Sequence, residues 1–290
     1  MMKVLMVGAT GKYASYVVPE LKQRGTVIRA LVRDKAKADA VQRQGIDEVA
    51  IADLNDPDSL RAAANGVDGV FHINPAFAPN EADLGVAMVE SAKASGVQKF
   101  VFSGVIHPSI SKMNFAAKRP VEEALYESGM TFIVLQPAMF MQTLDNGWNE
   151  VLEHHRFSLP YSKQAKVPYV DYRDVAEVAA IALTQEKLDY GTFELCAPSM
   201  VNRVELAAMM SEAIGHPVEA GEPSFDQWAQ AAHIPAGSSR MDGMRTMYAN
   251  YDQYDQYGFP GGNALVLRTI LGREPRTLQQ YLQELANRQA

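Results

Sequence analysis

Short, uninterrupted apolar runs alternate with longer stretches of helical periodicity through the first half of the chain. The runs fall at 3–7, 26–32, 49–52, 69–73, 99–103 and 131–136, with helical patterns between them near 12–24, 35–44, 57–65, 81–95 and 118–129. Runs this brief read as strands, and the amphipathic stretches read as helices. Most of the strands are apolar at successive positions rather than alternate ones, so both faces of their sheet are expected to be covered. Right-handed crossovers through the intervening helices then predict an α/β fold on a doubly wound parallel sheet.

The pattern breaks after Pro137. Residues 139–167 are rich in Met, Phe, Trp and His without clean periodicity, which suits an insertion beside a ligand. A strand at 167–170 and a helix from Asp174 to Thr184, capped by Asp171 or Asp174, restore the alternation. A further strand at 192–196 is expected to rejoin the sheet, and 203–215 and 276–288 read as amphipathic helices. Between them, Tyr248, Tyr251, Tyr254 and Tyr257 recur every third residue. That spacing reads as aromatics packed on a lobe rather than a stacking surface for nucleic acid, because Asp252 and Asp255 between them would repel phosphate.

Composition narrows the class. With 290 residues, 47% hydrophobic and 21% charged, the chain can bury a large core. A net charge of −7 argues against a nucleic-acid partner. The lone cysteine, Cys196, excludes an internal disulfide and sits in a strand, as a buried inert thiol would. No apolar run reaches membrane-spanning length and no charged-then-apolar leader precedes the first strand, so the cytoplasm is the expected location. His154-His155 has no ligand-spaced partner, which speaks against metal. A Gly-x-Ser-x-Gly elbow and a Walker-type loop are both absent from the sequence.

The chemistry concentrates where the predicted strands end. The first strand runs into Gly8-Ala9-Thr10-Gly11-Lys12-Tyr13-Ala14 and re-emerges as a helix. A dinucleotide pyrophosphate needs such a turn: glycines admit the ligand to the backbone, a helix N-terminus offers N–H groups, and a small third residue lets helix pack on strand. Specificity should be decided at the end of the second strand. Arg33 there suits the 2′-phosphate of NADP and Asp34 the 2′-hydroxyl of NAD, so NADP(H) is preferred and NAD(H) remains possible. Asp53-Leu54, Asn74 and Ser103 follow the third, fourth and fifth strands at the same edge. Asp53 can take the adenine amino group or cap a turn, and Ser103 can bond a substrate carbonyl, a ribose or its own turn. Lys118 near a helix start can hold a ribose or stay solvated. His107 can carry a proton or be an ordinary loop residue. Phe77, Met139, Phe140, Met141, Trp148 and Tyr161 supply apolar walls for a substrate, or ordinary core.

Taken together and in this order, the motifs resemble the NmrA-like family of atypical short-chain dehydrogenases/reductases. The resemblance is carried by Val7-Gly8-Ala9-Thr10-Gly11, Arg29-Ala30-Leu31-Val32-Arg33-Asp34, Phe100-Val101-Phe102-Ser103, Lys118 with Val121-Glu122-Glu123, and Leu135-Gln136-Pro137-Ala138. Tyr169-Val170-Asp171-Tyr172-Arg173-Asp174-Val175-Ala176 and Leu271-Gly272-Arg273-Glu274-Pro275-Arg276 extend it over nearly the whole chain. It implies a Rossmann domain over 1–138, its sheet completed by 167–198, and a smaller lobe of 139–166 and 199–290, with the cofactor in the cleft between. Gly8, Ala9, Thr10, Gly11, Lys12, Tyr13 and Ala14 would face the pyrophosphate, Arg33 the 2′-phosphate and Asp53-Leu54 the adenine. Lys118 would meet the nicotinamide ribose, and Pro137 to Thr143, Phe140 among them, would line the nicotinamide pocket.

One departure bears on activity. Active short-chain dehydrogenases place a proton-donating tyrosine four residues before the lysine, and here that position is Asn114, an amide that does not titrate near neutrality. The resemblance therefore implies reduction of a small, apolar, electron-poor substrate such as a quinone, by NADPH. The alternative it leaves is a protein that binds NAD(P) without turnover and regulates a protein partner. Oligomeric state is open on this reading.

Overall fold

A computed structural model describes residues 1–42, 45–253 and 259–288; Tyr254, Asp255 and Tyr257 of the tyrosine repeat lie outside them. The chain divides into two compact units. The first comprises Met1–Ser111, Phe115–Gln136 and Val175–Glu194, and the second Lys112–Asn114, Pro137–Asp174 and Leu195 onward.

The apolar runs of the first unit form β1 (Lys3–Val7), β2 (Val27–Val32), β3 (Glu48–Ile51), β4 (Gly69–Ile73), β5 (Lys99–Ser103) and β6 (Thr131–Pro137). Their order across the sheet is β6-β5-β4-β1-β2-β3, with a seventh strand, Gly191–Leu195, outside β6. Every neighbouring pair from β3 to β6 is parallel. The chain order reverses between β1 and β4, and this switch point is where open α/β sheets bind ligands. The continuous apolar runs have the expected cause. Leu5 and Val7 pack into a core with Leu60, Met88, Phe100, Val121 and Leu125, while Val4 and Met6, on the opposite face of β1, are also fully buried.

The helices follow their local signals. They are α1 (Val17–Gln23), α2 (Lys35–Gln42), α3 (Pro57–Ala64), α4 (Glu81–Ala94), α5 (Met113–Ala116) and α6 (Arg119–Ser128). Asp56 caps α3 through the N–H groups of Asp58 and Ser59, with Pro57 at the first position, where its missing N–H costs nothing. The stretch read as a helix over 12–24 differs. A 3-10 turn, Ala14–Tyr16, comes first, and the α-helix begins only at Val17. Pro19 explains this, because a helix starting at residue 12 would carry the proline in its interior, where it breaks a hydrogen bond.

One polar side chain sits in the middle of this sheet. His72 on β4 is fully buried against the rings of Phe100 and Phe102, and its Nε2 lies 2.6 Å from Asn74 Oδ1. Burial pushes its pKa down from 6.5 to about 4, against the Asn74 hydrogen bond, which raises it. The folded state therefore holds His72 neutral over a range in which the unfolded chain protonates it. Its contribution to stability is complete above about pH 6.5 and is lost as the pH falls toward 4, by up to about 3 kcal/mol. Urea unfolding near pH 7 and near pH 4.5 checks this. His72→Gln is expected to lose less stability between the two pH values than the native chain, and equal losses would remove His72 as the cause.

The second unit is mostly helical. Met139–Phe140, Val167–Val170 and Met200–Val201 make a three-stranded sheet, and Arg156–Ser158 pairs with Glu219–Gly221. Arg203–Ile214 opens with an Asn202–Glu205 capping box and ends at Gly215, in the left-handed conformation. The helix read from Asp174 to Thr184 begins at Tyr172, so of the two aspartates read as its cap only Asp171 precedes it, while Asp174 lies inside the first turn; both are fully buried. Asp171 accepts from Gln142 and from the N–H and guanidinium of Arg173. Asp174 is clamped by the Arg273 and Arg276 guanidinium groups and by the Arg276 N–H at 2.7 Å. These contacts tie the segment before the final helix, Leu278–Arg288, to the start of Tyr172–Thr184, and Arg173 reaches the helix itself through Glu284 at 2.7 Å. None of the described helices is long and apolar enough to cross a membrane.

Candidate functional site

The turn after β1 is built around Gly8. Its φ is +81°, a region costly for residues with a Cβ, and a Cβ there would lie 3.1 Å from Ile73 Cγ2 on β4. The Gly11 N–H closes the turn on the Gly8 carbonyl at 2.7 Å, so a Cβ at Gly11 would stand 3.0 Å from that oxygen. Ala14 is buried beneath the turn. Ala9 is buried as well, whereas Thr10, Gly11 and Lys12 are exposed and Tyr13 is half-buried. The loop thus presents backbone outward at the switch point, with side chains at its rim.

At the end of β2 the two candidate specificity residues have separate duties. Asp34 accepts from the Lys37 N–H at 2.9 Å and so caps α2, while Arg33 is exposed beyond the strand. The Asp53 carboxyl is held below the usual range by the Asn55 N–H and side-chain amide, and further by the charge of Arg33. Asp53 is therefore in an Asx turn close enough to feel Arg33, and Leu54 packs against the core of this unit.

Beyond β4 the structure links residues that sequence reasoning had kept separate. Asn74 is turned inward, touching His72 and donating to the Glu81 carbonyl at 3.2 Å. Glu81, in the first turn of α4, is 2% exposed and forms an ion pair with Lys118, itself 6% exposed. Its other carboxylate oxygen accepts the N–H of Phe77 at 3.0 Å and holds that residue at φ +66°. Lys118 is thus a buried cation at the start of α6 and not a solvated helix lysine. Glu81 was missed because a carboxylate in a first helical turn is the ordinary complement of the helix dipole, so its residue type carries no flag; only its burial does.

The edge beyond β5 and β6 holds a second buried carboxyl. Glu122 accepts from Gln136 at 2.9 Å, and burial pushes its pKa up despite that bond. Ser103 is buried at the end of β5, where the next N–H, of Gly104, bonds the Leu135 carbonyl. His107 has φ +56°, and its Nδ1 lies 3.3 Å from Glu194 Oε1. In the second unit Pro137 is buried, and Met139 and Phe140 are half-buried, with the Phe140 ring edge-on to Tyr172 at 4.7 Å. Met141 and Trp148 are buried inside this unit, and Tyr161 stacks on Tyr248 at 5.6 Å. Asn114 falls in the short helix α5. Among the described residues there is no cluster of His, Cys, Asp or Glu able to hold a metal ion.

The sequence and fold match known proteins along almost their whole length. The model of the NmrA-like family matches residues 1–282. The chain is 33% identical over 291 residues to the NAD(P)H azoreductase of Xenophilus azovorans, covering 96% of each. It is 25% identical over 290 residues to quinone oxidoreductase 2 of Escherichia coli, covering 98% of this chain and 99% of that one. Its fold is similar to that of Citrobacter sp. triphenylmethane reductase in complex with NADP(H), with a TM-score of 0.83 at 23% identity over 98% of this chain and 99% of the other.

Proposed function

The chain belongs to the NmrA-like family, and on that footing we propose that it is an NADPH-dependent oxidoreductase acting on a small, apolar, electron-poor substrate such as a quinone. The observation that carries the reading is the Gly8 turn at the β1/β4 switch point, where φ +81° and the approach to Ile73 leave no room for a side chain. Such a turn fits a pyrophosphate laid against backbone. Arg33 would pair with the 2′-phosphate while Asp34 stays on α2, and Asp53-Leu54 would meet the adenine. A bound NADPH supplies the hydride. Lys118, oriented by Glu81, would present its charge toward the nicotinamide ribose. Met139 and Phe140 are partly exposed apolar side chains suited to an uncharged ring. No proton transfer falls to Asn114, which favours acceptors that need little acid assistance, and we assign proton delivery to His107.

The relatives support this reading by their names: an azoreductase and a quinone oxidoreductase each reduce an electron-poor acceptor. Steady-state NADPH oxidation across quinones, azo compounds, enones and imines tests it, with Arg33→Ala as the second arm. Turnover is expected with at least one class, and Arg33→Ala is expected to weaken NADPH binding about tenfold to a hundredfold while leaving NADH within about twofold, as loss of one charged hydrogen-bonded pair implies. Equal losses for both cofactors would show that Arg33 supports its loop and does not read the phosphate. No turnover anywhere, together with a protein partner that distinguishes NADPH from NADP⁺, would replace the reductase by a redox-responsive regulator.

A further inference from the structure

We infer that His72 and Asn74 are positioning residues for Lys118, acting on it through Glu81. The link from Lys118 to the cofactor rests on the reductase reading; the positioning itself does not. His72 stands where an apolar ring would serve the core better. It is fully buried on β4 and stacked on Phe102, and its Nδ1 meets no hydrogen-bond partner among the described residues. A buried nitrogen left unpaired is costly, and phenylalanine would fill the space without one. What the imidazole adds is its other nitrogen, 2.6 Å from Asn74 Oδ1.

Asn74 fixes the direction of that bond. Its Nδ2 donates to the Glu81 carbonyl at 3.2 Å, so its Oδ1 is the acceptor and His72 Nε2 carries the hydrogen. The Asn74 amide has no room to turn elsewhere. A Cβ on Gly85, one turn into α4 from Glu81, would lie 2.6 Å from Asn74 Oδ1 and 3.1 Å from Nδ2, and would also collide with Val121 of α6. Helix α4 is therefore seated on the Asn74 side chain and against α6, the helix whose N-cap is Lys118. Glu81 opens α4: its carbonyl is held by Asn74, and its carboxylate holds Lys118 with one oxygen and the Phe77 N–H with the other. The imidazole thus sets the amide, the amide sets the first turn of α4, and the carboxylate carried there sets the lysine. Burial strengthens each of these bonds, because no water competes for them.

Amine labelling followed by mass spectrometry tests this without cofactor, with Lys99 of the same unit, paired with Asp189, as the internal reference. His72→Leu keeps an apolar side chain and removes the donor, whereas His72→Gln keeps a donor in place of the Nε2–H. In His72→Leu, Lys118 is expected to label about three- to tenfold faster than in the native chain, with Lys99 unchanged. NADPH affinity is expected to fall by about the same factor, as loss of one hydrogen bond implies. His72→Gln should restore both. Gly85→Ala, which favours the helix but pushes α4 off Asn74, should reproduce the faster labelling of Lys118. Native labelling of Lys118 in His72→Leu or in Gly85→Ala, or equal effects in His72→Leu and His72→Gln, would overturn the proposal. Faster labelling at unchanged NADPH affinity would uphold the positioning and remove Lys118 from the ribose, so the two readings fail separately.

Discussion

Lys118→Ala is expected to destabilise the first unit by about 3–5 kcal/mol, the usual cost of leaving one member of a buried ion pair uncompensated. Lys118 and Glu81 are both nearly inaccessible, and Glu81 would keep a charge with the Phe77 N–H as its other bond. Denaturant unfolding measures the loss. Glu81→Gln with Lys118→Met should be markedly more stable than Lys118→Ala alone, because apolar or neutral replacement of both partners removes the stranded charge. A single-variant loss below about 1 kcal/mol would mean that the pair is solvated and that the burial argument fails.

This pair also changes how activity data on Lys118 should be read. A fall in turnover in Lys118→Ala would mix lost charge at the ribose with a loosened α4–α6 contact and a released Phe77. Glu81→Gln keeps the lysine and a hydrogen-bond acceptor for the Phe77 N–H but removes the charge that orients Lys118; because it strands the Lys118 charge in turn, its kinetics are read beside its unfolding free energy. If Lys118 acts on the cofactor, this variant should raise KM for NADPH with a smaller change in kcat.

The strands of the first unit were legible because burial on both faces forces continuous apolar runs, and Val4 to Val7 shows the reason in miniature. The tight turn after β1 was legible because Gly8 and Gly11 occupy places where a Cβ would crowd its neighbours. The polar interior was not. His72 sits in an apolar run and looks like a guest in the core, and Glu81 looks like any first-turn acid; their partners lie on other elements that no local pattern connects. In the second unit the short helices Trp148–His154, Phe225–Ala231 and Leu265–Leu271 escaped for a different reason. Each has fewer than three turns, too short for a period to emerge, and the second packs its Phe225 and Trp228 rings against Tyr248. The tyrosine spacing was read correctly for Tyr248 and Tyr251, both buried against other rings.

Gly8→Val should abolish NADPH binding, with a loss of at least about a hundredfold, while far-UV circular dichroism stays native. Two costs combine at this position. A β-branched residue at φ +81° carries backbone strain of about 1–2 kcal/mol, and its Cβ approaches Ile73 at 3.1 Å, so either the turn or β4 must shift. A displacement of a few tenths of an ångström in the backbone that faces a pyrophosphate removes several hydrogen bonds at once, each worth about 1.5–3 kcal/mol to a charged group. Strain by itself is separated by Gly66→Ala, where φ is +71° and nothing lies within 4 Å of the added Cβ. That control is expected to lose about 1 kcal/mol of stability and no cofactor affinity. If Gly8→Val binds NADPH within threefold of the native chain, the phosphates lie elsewhere and the switch-point assignment falls; if Gly66→Ala loses binding equally, the effect is global strain and the turn has no special claim.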